Sequence, residues 1–292
     1  MIYIRLKGGM GNQMFQYAFG LRMARALGVE LSLDLSILLD RARGKDFVYR
    51  NYDLDIFNLE SQFLLSPKWM SWLHAPRSSR WSSFVRRQLA NGKNYIKEPH
   101  FHVAEQLLTA PQDETIYDGW WQSGKYFEEI EEEIRKAFSF VYPIEEDSLS
   151  LLQEIQNTSS VCLNVRRTDF VKNANLNTTD LSYFLRATEQ MAEKVSHPHF
   201  FIFSDDVAWC AENFKLPFPT TLVGHDHKGI KFGNYMQLMI ACQHFIIPNS
   251  SFAWWAVWLN QQPNKVVIAP KNWFNDAQYD TSDLVPKNWI RM

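Results

Sequence analysis

Short apolar runs alternate with segments of helical period along most of this chain, and that alternation restricts the fold more than any other feature. Residues 2–6, 29–35, 160–165, 200–203, 220–223, 245–247 and 265–269 read as strands. After the first strand, Met14, Phe15, Tyr17, Ala18, Leu21, Ala24 and Leu27 recur at helical spacing, and Gly28 is placed to end that helix. In the second half, residues 181–194, 206–213, 234–243 and 252–260 read as helices, with Asp180 capping the first of them. Strands that alternate with helices form parallel, doubly wound sheets. A chain of 292 residues with 46% hydrophobic content can build two such units. Residues 139–158 carry Pro143, a run of acids and Asn157-Thr158-Ser159-Ser160, and mark the boundary. The expected fold is α/β, with one sheet domain at 1–155, a second at 156–292, and a cleft between them.

Composition narrows the partners. A net charge of −2 gives no global field to recruit nucleic acid. Cys162, Cys210 and Cys242 each sit in an apolar segment without metal-like spacing, as buried thiols of a reducing compartment do. The chain enters Ile2-Tyr3-Ile4 directly, and no apolar run reaches the ~18 residues of a membrane span. A soluble cytoplasmic protein is expected. Residues 61–97 form a basic insertion, with Lys68, Arg77, Arg80, Arg86, Arg87, Lys93 and Lys97, no acid, and Trp69, Trp72 and Trp81 interleaved. Three readings are open there: a helical surface with inward tryptophans, peripheral docking on the inner membrane surface, and nucleic-acid contact.

The first strand leads into Gly8-Gly9-Met10-Gly11-Asn12-Gln13. Small residues there let backbone or ligand approach closely, and Asn12 and Gln13 offer amides at a helix N-terminus. Gly9 and Gly11 begin a dinucleotide-binding fingerprint, and Asp34 lies where its ribose-binding acid sits. Met14 occupies the third glycine's place, against that reading. Asp53-Leu54-Asp55 matches a short Asp-x-Asp metal pattern, too few ligands for a cation by itself. Asp118 beside Trp120 and Trp121 resembles a sugar-binding arrangement, with a carboxylate for hydroxyls and a ring for the apolar face; a core tryptophan pair is the alternative. Ser123 is placed to cap a helix over 124–138. His225-Asp226-His227 reads as a surface loop, its spacing unlike a zinc site.

Three strand ends of the second half carry polar groups: Arg166-Arg167, Asp205-Asp206, and Asn249-Ser250-Ser251. In a parallel sheet all three share one edge. Ser250 and Ser251 open a helix, so hydroxyls and free N–H groups meet positive dipole there. With the Arg166 fork that edge suits a diphosphate, and Asp205 could accept from the N–H groups of guanine. An ion pair between Arg166 and Asp169 is the structural alternative.

At these residues the sequence resembles the bacterial α-1,2-fucosyltransferases of glycosyltransferase family 11. The resemblance is carried by residues 8–17, Asp118-Gly119-Trp120-Trp121-Gln122-Ser123, Arg166-Arg167-Thr168-Asp169-Phe170, Phe201-Ile202-Phe203-Ser204-Asp205-Asp206 and Asn249-Ser250-Ser251-Phe252-Ala253-Trp254-Trp255. The family's His-x-Arg-Arg-x-Asp-Tyr motif has Asn164 in place of His and Phe170 in place of Tyr. Asn164 cannot serve as a base. The resemblance implies a GT-B fold of two Rossmann-like domains, the first on the acceptor side and the second binding GDP-fucose. It also implies inversion at the anomeric carbon and no metal requirement. The acceptor would be the 2-hydroxyl of a β-galactoside in a surface glycan such as O-antigen. Arg166 would hold the leaving diphosphate. Asp118 or Asp169 would serve as base, and Gly11, Asn12 and Gln13 would lie near the donor. An NAD-dependent oxidoreductase built on the glycine loop and a non-catalytic sugar-binding module are the alternatives.

Overall fold

The structure, a computed structural model, describes residues 1–40, 48–59, 62–64 and 95–292. Most of the basic stretch 61–97 lies outside the described residues, so the three readings of it stay where the sequence leaves them. The chain divides into two compact units, residues 1–139 with 282–284, and residues 140–281 with 285–292. The expected division after residue 155 differs because a helix at Leu149–Gln156 packs on the second sheet's first strand.

In the first unit, strands β1 (Ile2–Arg5), β2 (Leu31–Asp34), β3 (Gln62–Leu64), β4 (Tyr95–Lys97) and β5 (Thr115–Asp118) form one sheet in the order β3-β2-β1-β5-β4. Every pairing is parallel. Helix α1 (Met10–Leu27) carries the chain from β1 to β2 and stops at Gly28, whose left-handed φ of 65° lets its N–H cap the last turn. The third-glycine function that Met14 cannot supply falls to Gly20. A Cβ there would stand 2.8 Å from Leu31 and 3.0 Å from Ile4, so only glycine brings α1 this close to the sheet. The core beside it is aromatic. Phe19 stacks on Trp121 at 4.0 Å, with Tyr117 and Tyr126 edge-on around it. The expected helix over 124–138 is two pieces, a 3₁₀ segment Gly124–Ile130 kinked at Phe127 and helix α2 (Glu131–Ala137), with the break between them at Ile130, whose φ of −122° and ψ of 28° are not helical. Ser123 caps the first piece, accepting from the Lys125 amide.

In the second unit, β6 (Ser159–Val165), β7 (Pro198–Ser204), β8 (Thr220–Val223), β9 (His244–Ile246), β10 (Val267–Ala269) and β11 (Ile290–Arg291) pair in parallel, in the order β11-β10-β9-β6-β7-β8. Counted from β6 this is the doubly wound order 3-2-1-4-5-6. Helices α3 (Leu149–Gln156), α4 (Leu181–Lys194), α5 (Val207–Asn213), α6 (Gly233–Ala241) and α7 (Ser251–Leu259) flank it. Val161, Leu163, Val165, Phe200, Ile202 and Ile246 pack against Tyr183, Phe184, Ala187 and Met191 of α4. Asp180 caps α4 and Asp206 caps α5. The three cysteines are buried and free.

The close approach at Gly20 generates a stability prediction. Gly20→Val forces a β-branched side chain against Ile4 and should lower unfolding free energy by about 2 kcal/mol or more, read by urea denaturation. Unchanged stability would show that α1 can retreat from the sheet.

Candidate functional site

The register of the second sheet brings its polar strand ends together. Val165 lies opposite Ser204, so the residues that follow each strand meet at one edge. The strand order reverses between β6 and β9, which makes this edge a topological switch point, where ligands of such folds bind. The two arginines lie just past the end of β6 and diverge. Arg166 turns to Asp169, with Nε at 3.0 Å and Nη2 at 2.7 Å from Oδ1, and its Nη1 lies 3.3 Å from Asp205. Arg167 turns to α5, its guanidinium 3.6 Å from the Trp209 ring centre and 3.3 Å from Asp206. The structural ion pair weighed against a ligand role for Arg166 is therefore present.

Asp205 takes a task the sequence did not suggest. Oδ1 accepts from the Arg167 amide at 2.8 Å, and Oδ2 accepts from the Thr168 amide at 3.0 Å and from the Thr168 hydroxyl. With Arg166 added, Asp205 makes four contacts, three at Oδ2 and one at Oδ1, and so shapes the 166–168 turn. At the other side of the switch point, Ser250 caps α7 by accepting from the Ala253 amide at 3.4 Å. The first amides of α7, those of Ser251 and Phe252, have no carbonyl one turn before them to bond. Asn249 donates to the Leu176 and Trp273 carbonyls, while its buried Oδ1 has no partner. Asn164 donates to the Phe203 carbonyl at 3.3 Å, a bond along the sheet. His225 and His227 pair with the Ser204 carbonyl and the Ser148 hydroxyl, anchoring their loop.

The first unit has its own switch point, between β1 and β5. There Arg5 bridges Asp34 at 2.9 Å and Asp118 at 3.2 Å, and Lys7 meets Asp118 at 2.7 Å. Two cations and two carboxylates balance in a nearly dry cluster, and the Tyr95 hydroxyl donates to Asp118. Asp34 is thereby committed to Arg5 and is not free for a ribose, so the glycine loop lacks both its third glycine and its acid as a dinucleotide site. Gln13 is also committed. It is fully buried, donates to the Gly8 and Asn51 carbonyls, and accepts from the Asp53 amide. Gly11 is buried beside it, and Asn12 stays half-buried with its carbonyl taken by Gln122 at 2.6 Å. Of the tryptophan pair, Trp121 is core and Trp120 is 37% exposed. Glu98, which the sequence analysis did not single out, accepts the amides of Trp120 at 2.7 Å and Trp121 at 3.0 Å. Glu98, just past β4, reaches the turn after β5 only through the parallel pairing of the two strands, a long-range signal. Among the described residues no group of three or more His, Cys, Asp or Glu is placed to hold a metal ion. None of the described helices is long and apolar enough to cross a membrane.

Burial pushes the Asp118 carboxyl up, but Lys7 and Arg5, with hydrogen bonds from Lys7 and Tyr95, outweigh it and hold Asp118 below its ordinary 3.8. A depressed carboxyl stabilises the fold above its ordinary value, and that contribution disappears as pH falls through the lower folded value. Asp118→Asn leaves Arg5 and Lys7 underpaired and should cost about 3 kcal/mol at neutral pH by urea unfolding. The gap from wild type should narrow as pH drops below about 4. A gap that is constant with pH would remove the charge pairing as its cause.

Comparison with known proteins agrees with this geometry. Residues 77–292 match the family Glycosyl transferase family 11. An α-1,2-colitosyltransferase of Escherichia coli is 31% identical, over 100% of this chain and 99% of that protein. The O-antigen biosynthesis glycosyltransferase WbnK of Escherichia coli is 28% identical over 100% of both. Among solved structures, NodZ α-1,6-fucosyltransferase co-crystallized with GDP superposes with a TM-score of 0.52, over 88% of this chain and 91% of that one, at 17% identity. That last likeness is one of fold, and with the two parallel sheets it gives the GT-B class. Fold, switch-point edge and family match agree: the chain belongs to glycosyltransferase family 11 and is one of its enzymes.

Proposed function

We propose that this enzyme transfers L-fucose from GDP-fucose to the 2-hydroxyl of a terminal β-galactoside, inverting the anomeric carbon without a metal ion. The product would be a surface glycan such as an O-antigen unit. The second unit takes the donor and the first takes the acceptor. The observation that carries the reading is the β6–β9 edge, where the Arg166 fork, the Ser250 and Ser251 end of α7, and the unpaired Asn249 Oδ1 gather. A leaving nucleoside diphosphate builds negative charge on its β-phosphate while the sugar becomes oxocarbenium-like. A guanidinium already held by Asp169 and Asp205, with helix amides, stabilises that charge without reorganising. Asn249 Oδ1 can accept from a donor N–H or O–H. The acceptor hydroxyl attacks the anomeric carbon from the opposite face as the bond to the diphosphate breaks; GDP departs as the anion, and the hydroxyl proton is lost to solvent once the new C–O bond has formed.

The two carboxylates expected as bases are both engaged with cations. Asp169 holds the Arg166 fork, and Asp118 anchors Lys7 and Arg5. Their assigned role here is to position those cations. Gly11 and Asn12 lie at the start of α1, with Gln13 buried behind them. Similarity to an α-1,2-colitosyltransferase, 31% identical along the whole chain, favours one further reading, a GDP-colitose donor. Colitose is fucose without its 3-hydroxyl, so the diphosphate chemistry is the same.

The test is a transfer assay on β-galactosides with each donor, in EDTA. Arg166→Ala should lower kcat by about 10²–10³-fold, and Arg166→Lys should restore little because an ammonium lacks the planar fork. Wild-type activity should survive EDTA. Loss in EDTA would overturn the metal-free step, and an unaffected Arg166→Ala would overturn the guanidinium assignment. The donor with the higher kcat/KM decides between fucose and colitose.

A further inference from the structure

Trp120 is held outward by constraints that its own burial does not repay. Its neighbour Trp121 adopts a left-handed φ of 54°, a conformation that costs a side-chain-bearing residue. Gly119 has no room for a Cβ, which would lie 2.5 Å from the Trp121 ring and 2.6 Å from Glu98. Gly8, at φ 78°, leaves the space beside Trp120, where a Cβ would come within 3.1 Å of the indole. The Lys7 ammonium stands 4.7 Å from the ring centre, and Glu98 accepts the Trp120 amide. A large aromatic ring is therefore fixed in orientation, partly open, and flanked by one donor and one acceptor. It stands at the end of β5, beside the first unit's switch point.

We propose that Trp120 is the platform on which the acceptor's terminal pyranose stacks, with Lys7 and Glu98 as its hydroxyl partners. The inference rests on the reading that the first unit takes the acceptor. A galactopyranose gathers ring C–H groups on one face and carries hydroxyls around its rim. An indole with a polar border complements both. Each Glu98 oxygen accepts one amide and keeps one lone pair for a sugar hydroxyl. Burial raises the Glu98 carboxyl, against the amides of Trp120 and Trp121 and the Lys7 charge, while Asp118 raises it further. The net upward direction makes its carboxylate a stronger acceptor. Asp118, the carboxylate first expected here, is instead bound to two cations and a hydroxyl, Oδ1 to Lys7 and Oδ2 to Arg5 and Tyr95.

The experiment measures the acceptor KM with methyl β-galactoside, GDP affinity by fluorescence titration, and direct galactoside binding by saturation-transfer NMR. In Trp120→Ala the acceptor KM should rise about tenfold or more, while Trp120→Phe returns it to within about threefold of wild type. Glu98→Gln should raise the same constant. GDP affinity should stay at the wild-type value in all three. An unchanged acceptor KM in Trp120→Ala overturns the subsite while leaving the fucosyl transfer intact. Parallel loss of GDP affinity overturns it too, since it assigns Trp120 to the fold. If wild type transfers to no galactoside, the NMR signal separates the cases. Saturation present in wild type and lost in Trp120→Ala supports the subsite without the proposed reaction, and no saturation in wild type overturns both.

Discussion

Parallel pairing outward from a first strand is the constraint on which both units depend. β1 and β6 each have neighbours on both sides, and every neighbour runs in the same direction. Carboxyl ends therefore accumulate at one edge of each sheet, where no further strand residue exists to pair their polar groups. The chain fills these edges with Arg5, Lys7 and Asp118 in one unit and Arg166, Asp205 and Asn249 in the other. Strand interiors can then be apolar on both faces, as Val161 to Val165 and Phe200 to Phe203 are apart from Asn164.

Charges collected at such edges are costly unless paired. The first unit solves this by neutrality, with Arg5 and Lys7 against Asp34 and Asp118 and little water. The second unit leaves its charges nearer solvent. Arg166 and Asp169 each keep 29% of their side-chain exposure, so an anion can reach the guanidinium. The contrast fits two different tasks: a closed cluster fixes backbone geometry, and an accessible fork can trade part of a carboxylate contact for a phosphate contact.

Local chemistry made much of this legible from the sequence. Period located α1, α4, α5 and α7, and Gly28, Asp180 and Ser250 marked ends of three of them, because such caps act through bonds within three or four residues. The short strands β3, β4 and β11 were not readable, since two or three residues carry no period and only a neighbour's open edge defines them. The candidate site was legible as a set of strand ends and illegible in its division of labour. Gln13, Asp34 and Asp205 stand where ligand-binding groups stand in related motifs, yet each turns to a protein partner supplied from far along the chain. Glu98 was missed for the converse reason: its meaning comes from β5, about twenty residues later.

Strain and close packing concentrate where the first unit's chain leaves its central strands. Gly8 and Gly119 sit where any Cβ would collide, and Trp121 accepts a left-handed backbone while stacking on Phe19 in the core. The stacking supplies the stabilisation that holds the unfavourable backbone, and the backbone in turn forces the adjacent indole outward. A buried Trp121 and an exposed Trp120 are therefore one device. The core member fixes the turn, and the turn sets the ring that faces away from the core.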